Sequence, residues 1–108
     1  MEKLFVYGTL GPGRPNEHIL KNIGGTWKDA FVFGELFEEG WGAEKGFPGI
    51  RFENKVAKVR GFVFYSENLK DHWKELDAFE GAAYQRIKTK VTLTDTEEVI
   101  EVDVYALK

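Results

Sequence analysis

The chain has 108 residues, enough for one domain spanning residues 1–108 and too few for two. Apolar residues make up 43 % and aromatics 15 %, enough for a core and without a disordered signature. A net charge of −3 counts against a nucleic-acid groove, and the lack of cysteine removes disulfides, thiolate metal sites and a cysteine nucleophile; two histidines leave little for a histidine metal centre. No apolar run approaches the roughly 20 residues of a membrane span, and the N-terminus has no signal-peptide pattern. The expectation is a soluble, cytoplasmic protein without metal or cofactor, with no nucleic-acid or membrane partner.

Lys3-Leu4-Phe5-Val6-Tyr7 reads as a strand that stops at Gly8-Thr9-Leu10. Gly8 is expected to turn the chain through positive φ and to bring backbone close to a ligand. A strand that ends there leaves successive N–H groups to face water or to form an anion-binding concavity. Gly11 to Pro15 reads as a loop, and Asn16 as the N-cap of a short helix through Glu17, His18, Ile19, Leu20 and Lys21, ended by Gly24-Gly25. Thr26 to Phe37 is aromatic-rich and β-branched, one long or two short strands, with Gly34 a bend or bulge. Glu38 to Gly46 is glycine-rich and loop-like. Phe47 to Phe52 reads as an edge strand, because Pro48 cannot donate to a central ladder. After a turn at Glu53-Asn54-Lys55, Val56 to Tyr65 is a further strand, broken near its middle by Gly61. Strands punctuated by glycine point to a sheet that curls or closes as a small barrel.

An amphipathic helix follows, with Asn68 as N-cap and Asp71 in a capping-box position. Leu69, Trp73, Leu76 and Glu80 share its inner face, and Gly81 stops it. The last two strands form a hairpin around Thr94-Asp95-Thr96-Glu97. Ile87, Val91 and Leu93 face the core in the first strand; Ile100, Val102 and Val104 alternate with Glu101, Asp103 and Tyr105 in the second.

Glu80 breaks the pattern, since the apolar stripe ends in a carboxylate. Pointed at a core face, such a group needs a partner or a task. Burial beside Phe79 and the partial negative charge of a helix C-terminus both disfavour its ionised form, which makes it a better proton acceptor near neutral pH. A helix frayed at Phe79 would instead leave Glu80 in water.

Tyr7-Gly8-Thr9-Leu10, Leu76-Asp77-Ala78-Phe79-Glu80-Gly81 and Tyr84-Gln85-Arg86 together resemble the gamma-glutamylcyclotransferase-like family, most of all its gamma-glutamylamine cyclotransferase branch. Pro15-Asn16, Gly34-Glu35-Leu36-Phe37, Phe47-Pro48-Gly49 and Gly61-Phe62-Val63-Phe64 support the match, which spans nearly the whole chain. The resemblance implies an α+β fold, a small, mixed, partly closed β-barrel with two flanking helices. It also implies a backbone pocket at Tyr7, Gly8, Thr9 and Leu10 and a catalytic glutamate at Glu80. Gly40 to Gly46 matches nothing in the family pattern and is where substrate choice would differ.

The implied reaction needs neither Ser, Cys nor metal, because a gamma-glutamyl amide carries its own nucleophile, the α-amine. Glu80 would take a proton from the α-ammonium and return one to the leaving amine, releasing 5-oxoproline, while backbone N–H groups of Tyr7 to Leu10 hold the oxyanion and the substrate carboxylate. Tyr84 and Arg86 would orient the substrate or serve packing. Asp77 reads as a solvated charge, and Glu35 is the second-ranked carboxylate. The partner is a small gamma-glutamyl compound; a monomer and a homodimer are both open. The alternative from another class is a non-catalytic domain that binds a small molecule in the same pocket.

Overall fold

Strand β1 (Glu2–Val6) organises the sheet, pairing antiparallel with β4 (Ala57–Ser66) on one side and parallel with β6 (Val99–Leu107) on the other. The structure is a computed structural model that describes residues 1–37 and 49–108. Strand β2 (Thr26–Phe37) runs antiparallel to β4, and β5 (Tyr84–Leu93) antiparallel to β6. Ala30↔Leu93 and Phe31↔Thr92 then join β2 to β5 and close the ring β2–β4–β1–β6–β5. Strand β3 (Gly49–Arg51) is an edge addition that pairs with β2 alone. Two helices, α1 (Glu17–Ile23) and α2 (Trp73–Glu80), flank the ring, so the expected mixed barrel with two helices is the observed fold.

Alternation along the strands feeds two cores. Phe5, Val63, Val91, Val102 and Val104 fill the barrel interior. Leu4, Val6, Phe64, Tyr105 and Leu107 point outward and are covered by Leu10, Leu20, Leu69 and Leu76 from the loop and helices. Each fully buried Leu or Phe contributes roughly 1.5–3 kcal/mol. Strand β6 serves both layers, so it is buried continuously from Val102 to Leu107, Asp103 included. The clean in–out alternation expected there therefore holds only at its exposed start, Val99 to Glu101.

Several local expectations change. Strand β4 continues unbroken through Gly61: a Cβ there would collide with the Val6 carbonyl and approach the Phe5 ring at 2.8 Å. Glycine permits a close crossing rather than a break. Gly34 stays in register with Ala57, so no bulge forms there; its bare Cα lets the Ile50 side chain approach to 3.0 Å of where a Cβ would stand. Neither Asn16 nor Asn68 makes a side-chain cap bond. Glu17 instead accepts the Gly13 N–H at 2.9 Å, and the Asn68 amide donates to the Ile23 carbonyl at 2.9 Å, tying the ends of α1 and the next element together. The second helix is split: Leu69–Asp71 forms a single 3₁₀ turn, His72 departs from helical geometry at φ −121, and α2 starts at Trp73. Leu69 and Leu76 remain fully buried on either side of that break. The Pro48 end of the predicted edge strand and the Gly40-to-Gly46 segment lie outside the described residues.

Candidate active site

Helix α2 ends where expected. Gly81, at φ +83, donates its N–H to the Asp77 carbonyl at 3.1 Å and turns the chain into β5 at Tyr84. Glu80 is thereby held as the last helical residue, partly buried rather than frayed into water. Burial pushes its carboxyl up from the ordinary 4.5 to about 7. No described residue forms a hydrogen bond or ion pair with it, so among them nothing offsets the lost water, and burial raises the proton affinity.

The charge of this carboxylate reaches two tyrosines, Tyr7 and Tyr105. Burial is the main cause that raises Tyr7, and the charges of Tyr84 and Glu80 add to it against the lowering effect of the Ile50 N–H. Burial first and the hydrogen bond to Asp77 second raise Tyr105, and Glu80 adds to that shift as well. Tyr84 is buried at the head of β5, one short turn after Glu80. The Tyr7 hydroxyl donates to the Tyr105 carbonyl at 2.7 Å and accepts the Ile50 N–H at 3.0 Å. It thus ties β1, β6 and β3 together beside the site.

The Tyr7–Leu10 segment leaves β1 as a turn. The Gly8 carbonyl accepts the Gly11 N–H at 3.1 Å, and the Thr9 carbonyl accepts the Asn16 N–H at 2.8 Å. Among the described residues no acceptor takes the N–H of Gly8, Thr9 or Leu10, as a backbone cradle for an anion requires. Leu10 is buried in the outer core and pins the loop. Thr9 is buried too, and its hydroxyl has no described partner. The positive φ expected of Gly8 is absent; among the described glycines it occurs at Gly13, Gly24 and Gly81. The turn is closed by the hydrogen bonds that the Gly8 and Thr9 carbonyls accept, and the left-handed residue comes later, at Gly13.

Arg86 is engaged by protein groups. Its Nε lies 3.0 Å and its Nη2 3.4 Å from the two oxygens of Asp77, its guanidinium lies 4.2 Å from the centre of the Trp73 ring, and its Nη1 is 3.8 Å from Asp103. The Tyr105 hydroxyl donates to the same Asp77 carboxylate at 2.6 Å. Asp77 is exposed, as expected of a solvated charge, but it is paired rather than free. Partial burial pushes its carboxyl up, but the hydrogen bonds from Arg86 and Tyr105 outweigh that and hold it below its usual value. Glu35 sits apart from this group of contacts, accepting the Asn54 amide at 3.2 Å near the β2–β3 ladder.

Sequence reasoning missed Tyr105 and Asp103. Both were placed on the polar face of a hairpin strand. The signal lay in the register: with the turn at Thr94–Glu97, Arg86 stands opposite Tyr105 and Lys88 opposite Asp103. Lys88 indeed reaches Asp103 at 3.2 Å. Among the described residues no cluster of three metal-ligating side chains exists, and no helix is long and apolar enough to cross a membrane.

Residues 4–108 match the family described as gamma-glutamyl cyclotransferase, AIG2-like. The chain belongs to this family. A curated member, the gamma-L-glutamyl-butirosin B gamma-glutamyl cyclotransferase of Niallia circulans, is 33 % identical over 70 residues, covering 65 % of this chain and 42 % of that protein. The chain thus spans less than half the length of the curated relative it matches. Among solved structures, an AIG2-like protein from Mus musculus superimposes with a TM-score of 0.75 at 24 % identity, covering 98 % of this chain and 76 % of the other. YkqA from Bacillus subtilis gives 0.74 at 27 %, covering 99 % and 36 %. These likenesses agree with the barrel and helices described above for the gamma-glutamyl cyclotransferase family.

Proposed function

We propose that this member of the family is itself a gamma-glutamyl cyclotransferase, releasing 5-oxoproline and a free amine from a gamma-glutamyl amide. The observation that carries the reading is Glu80: a partly buried carboxyl, unpartnered among the described residues and with a pKa of about 7, whose charge reaches Tyr7, the residue from which a turn with N–H groups unpaired among the described residues begins. A base with that proton affinity is half ionised near neutral pH, the range in which it both accepts and returns a proton.

The steps balance without redox change. The Glu80 carboxylate takes a proton from the substrate α-ammonium. The freed amine attacks the γ-carbonyl carbon and closes a five-membered ring. The resulting oxyanion is held by N–H groups of the Gly8–Leu10 turn. The intermediate collapses as Glu80 returns its proton to the leaving nitrogen and the bond to that nitrogen breaks; the regenerated carboxylate then takes the second proton from the ring nitrogen, leaving the neutral lactam, and passes it to the departing amine. Folding the substrate into the attacking conformation is the main task of the pocket, since the nucleophile and electrophile share one molecule. The relative from Niallia circulans is named for gamma-L-glutamyl-butirosin B. For this chain we propose an amine leaving group, the gamma-glutamylamine reading, with Tyr84 lining the reacting centre.

The test is incubation with a panel of gamma-glutamyl compounds (a dipeptide, an ε-lysine isopeptide, a polyamine conjugate and an aminoglycoside conjugate) followed by detection of 5-oxoproline. Formation with an amine conjugate and not with the dipeptide supports the amine reading. No 5-oxoproline from any of them, with binding retained, would turn the reading towards the non-catalytic binding domain.

A further inference from the structure

The geometry points to a positioning device behind Glu80: Arg86 and Tyr105, opposite each other on β5 and β6, grip Asp77 and Trp73 of α2 and so aim the Glu80 carboxylate. The inference rests on the reading of Glu80 as the acid–base group.

Helix α2 is eight residues long; Leu76 is buried, and Trp73 and Phe79 pack partly buried against the outer core. Packing seats so short a helix on the barrel. The polar contacts add directional grips to it. One guanidinium engages two residues a turn apart on the helix: its plane faces the Trp73 ring at 4.2 Å and its edge bonds Asp77 at 3.0 and 3.4 Å. The planar fork of arginine can do both at once, which a lysine cannot. The Tyr105 hydroxyl holds the same carboxylate from the neighbouring strand at 2.6 Å. Arg86 and Tyr105 form one cross-strand pair, so both grips issue from one rigid point of the ladder. On the other side Asp103, buried and paired with Lys88 at 3.2 Å, lies 3.8 Å from the guanidinium. Glu80 follows Asp77 by three positions and lies on the same side of the helix. Whatever fixes Asp77 therefore fixes the direction of Glu80.

The same contacts settle a charge problem. A bare Asp77 carboxylate one turn from Glu80 would oppose its ionisation, and Arg86 cancels that charge. The Glu80 charge acts on Tyr7 and on Tyr105 of β6, and the charged groups gathered at Asp77 of its own helix are Arg86 of β5 and, behind it, Asp103 of β6. Removing one member of the Asp77–Arg86 pair leaves the other unbalanced, so the two removals must act on Glu80 in opposite senses.

The experiment is an NMR titration of the Glu80 side-chain carboxyl in ¹³C-labelled protein, for the parent chain, Arg86→Gln, Asp77→Asn and the double variant. Asp77→Asn keeps an oxygen that can accept from Tyr105, which protects folding, and circular dichroism checks each variant. Expected is an upward move in Arg86→Gln and a downward move in Asp77→Asn. Each is about 0.5 pH unit or more, reduced from the 1–3 of a buried pair by partial exposure. The double variant returns close to the parent. A purely structural pair would give shifts of one sign or none, and that result overturns the proposal. On the substrate found by the panel, kcat should fall about 10- to 100-fold in Arg86→Ala with KM changed less than about threefold, and Arg86→Lys should recover part of it. An unchanged kcat in Arg86→Ala would equally refute the positioning role. If no gamma-glutamyl compound is turned over, the titration still decides the clamp, so its failure and that of the functional reading are separate results.

Discussion

Glu80→Gln should make the folded protein more stable at pH 8 while removing most of its activity. The carboxyl is raised in the folded state from 4.5 to about 7, a difference of about 2.5 pH units. At about 1.36 kcal/mol per unit, the ionised group costs the fold about 3 kcal/mol. The sign follows from which state binds the proton more tightly. Between pH 4.5 and 7 the native chain keeps a proton that the unfolded chain has lost, so stability falls as pH rises through that window and levels off above it. Glutamine has the same shape and no charge to desolvate. Urea unfolding of both proteins should therefore show a gap of about 3 kcal/mol in favour of Glu80→Gln at pH 8, closing towards pH 4.5. Turnover in the same variant should drop by about 10²-fold or more, as for loss of a general acid–base group. A gap that stays constant across this pH range would refute the assignment of a buried, unpartnered carboxylate. Near-normal turnover would move the base elsewhere, with Glu35 tested next.

Tyr7→Phe removes a hydroxyl that both donates to the Tyr105 carbonyl and accepts the Ile50 N–H. Leaving those partly buried groups unpaired should cost about 1–3 kcal/mol in denaturant unfolding, and no measurable loss would mean water replaces the hydroxyl. Thr9→Val keeps the shape of a buried side chain whose hydroxyl has no described partner. With the backbone as the donor, kcat/KM should fall less than about tenfold, or about 1.4 kcal/mol, whereas a hundredfold loss would make the hydroxyl a primary contact. Gly8→Val should raise KM by crowding the space next to N–H groups that have no acceptor among the described residues, and without backbone strain at Gly8 itself, which is not among the positive-φ glycines. Unchanged substrate affinity in that variant would contradict the pocket.

The chain's own pattern determined the strands, both helices and the suspicious position of Glu80. Those features depend on local chemistry: β-branched and aromatic runs, the glycine at the end of α2, and a carboxylate at the end of an apolar stripe. Helix caps and glycine roles were less legible. Asn16 and Asn68 have the right residue type for capping, yet tertiary partners replace the local bond, with Asn68 reaching Ile23 instead. Gly61 reads as a breaker along the chain and is in fact the place where β1 crosses close to β4.

The environment of the site was decided by barrel closure. Pairing of β2 with β5 and of β1 with β6 joins segments far apart in sequence and brings Tyr7 to the Tyr105 carbonyl, with both tyrosines within reach of the Glu80 charge. Asp77 and Arg86 illustrate the difference. In the sequence they are a surface charge and a candidate substrate contact. In the structure the β5–β6 register sets Arg86 opposite Tyr105, and both side chains meet Asp77. Residue type and spacing along one element are written in the sequence. Burial and partnership depend on which other elements arrive, and for Glu80 it is burial that turns an ordinary carboxylate into one with a pKa of about 7.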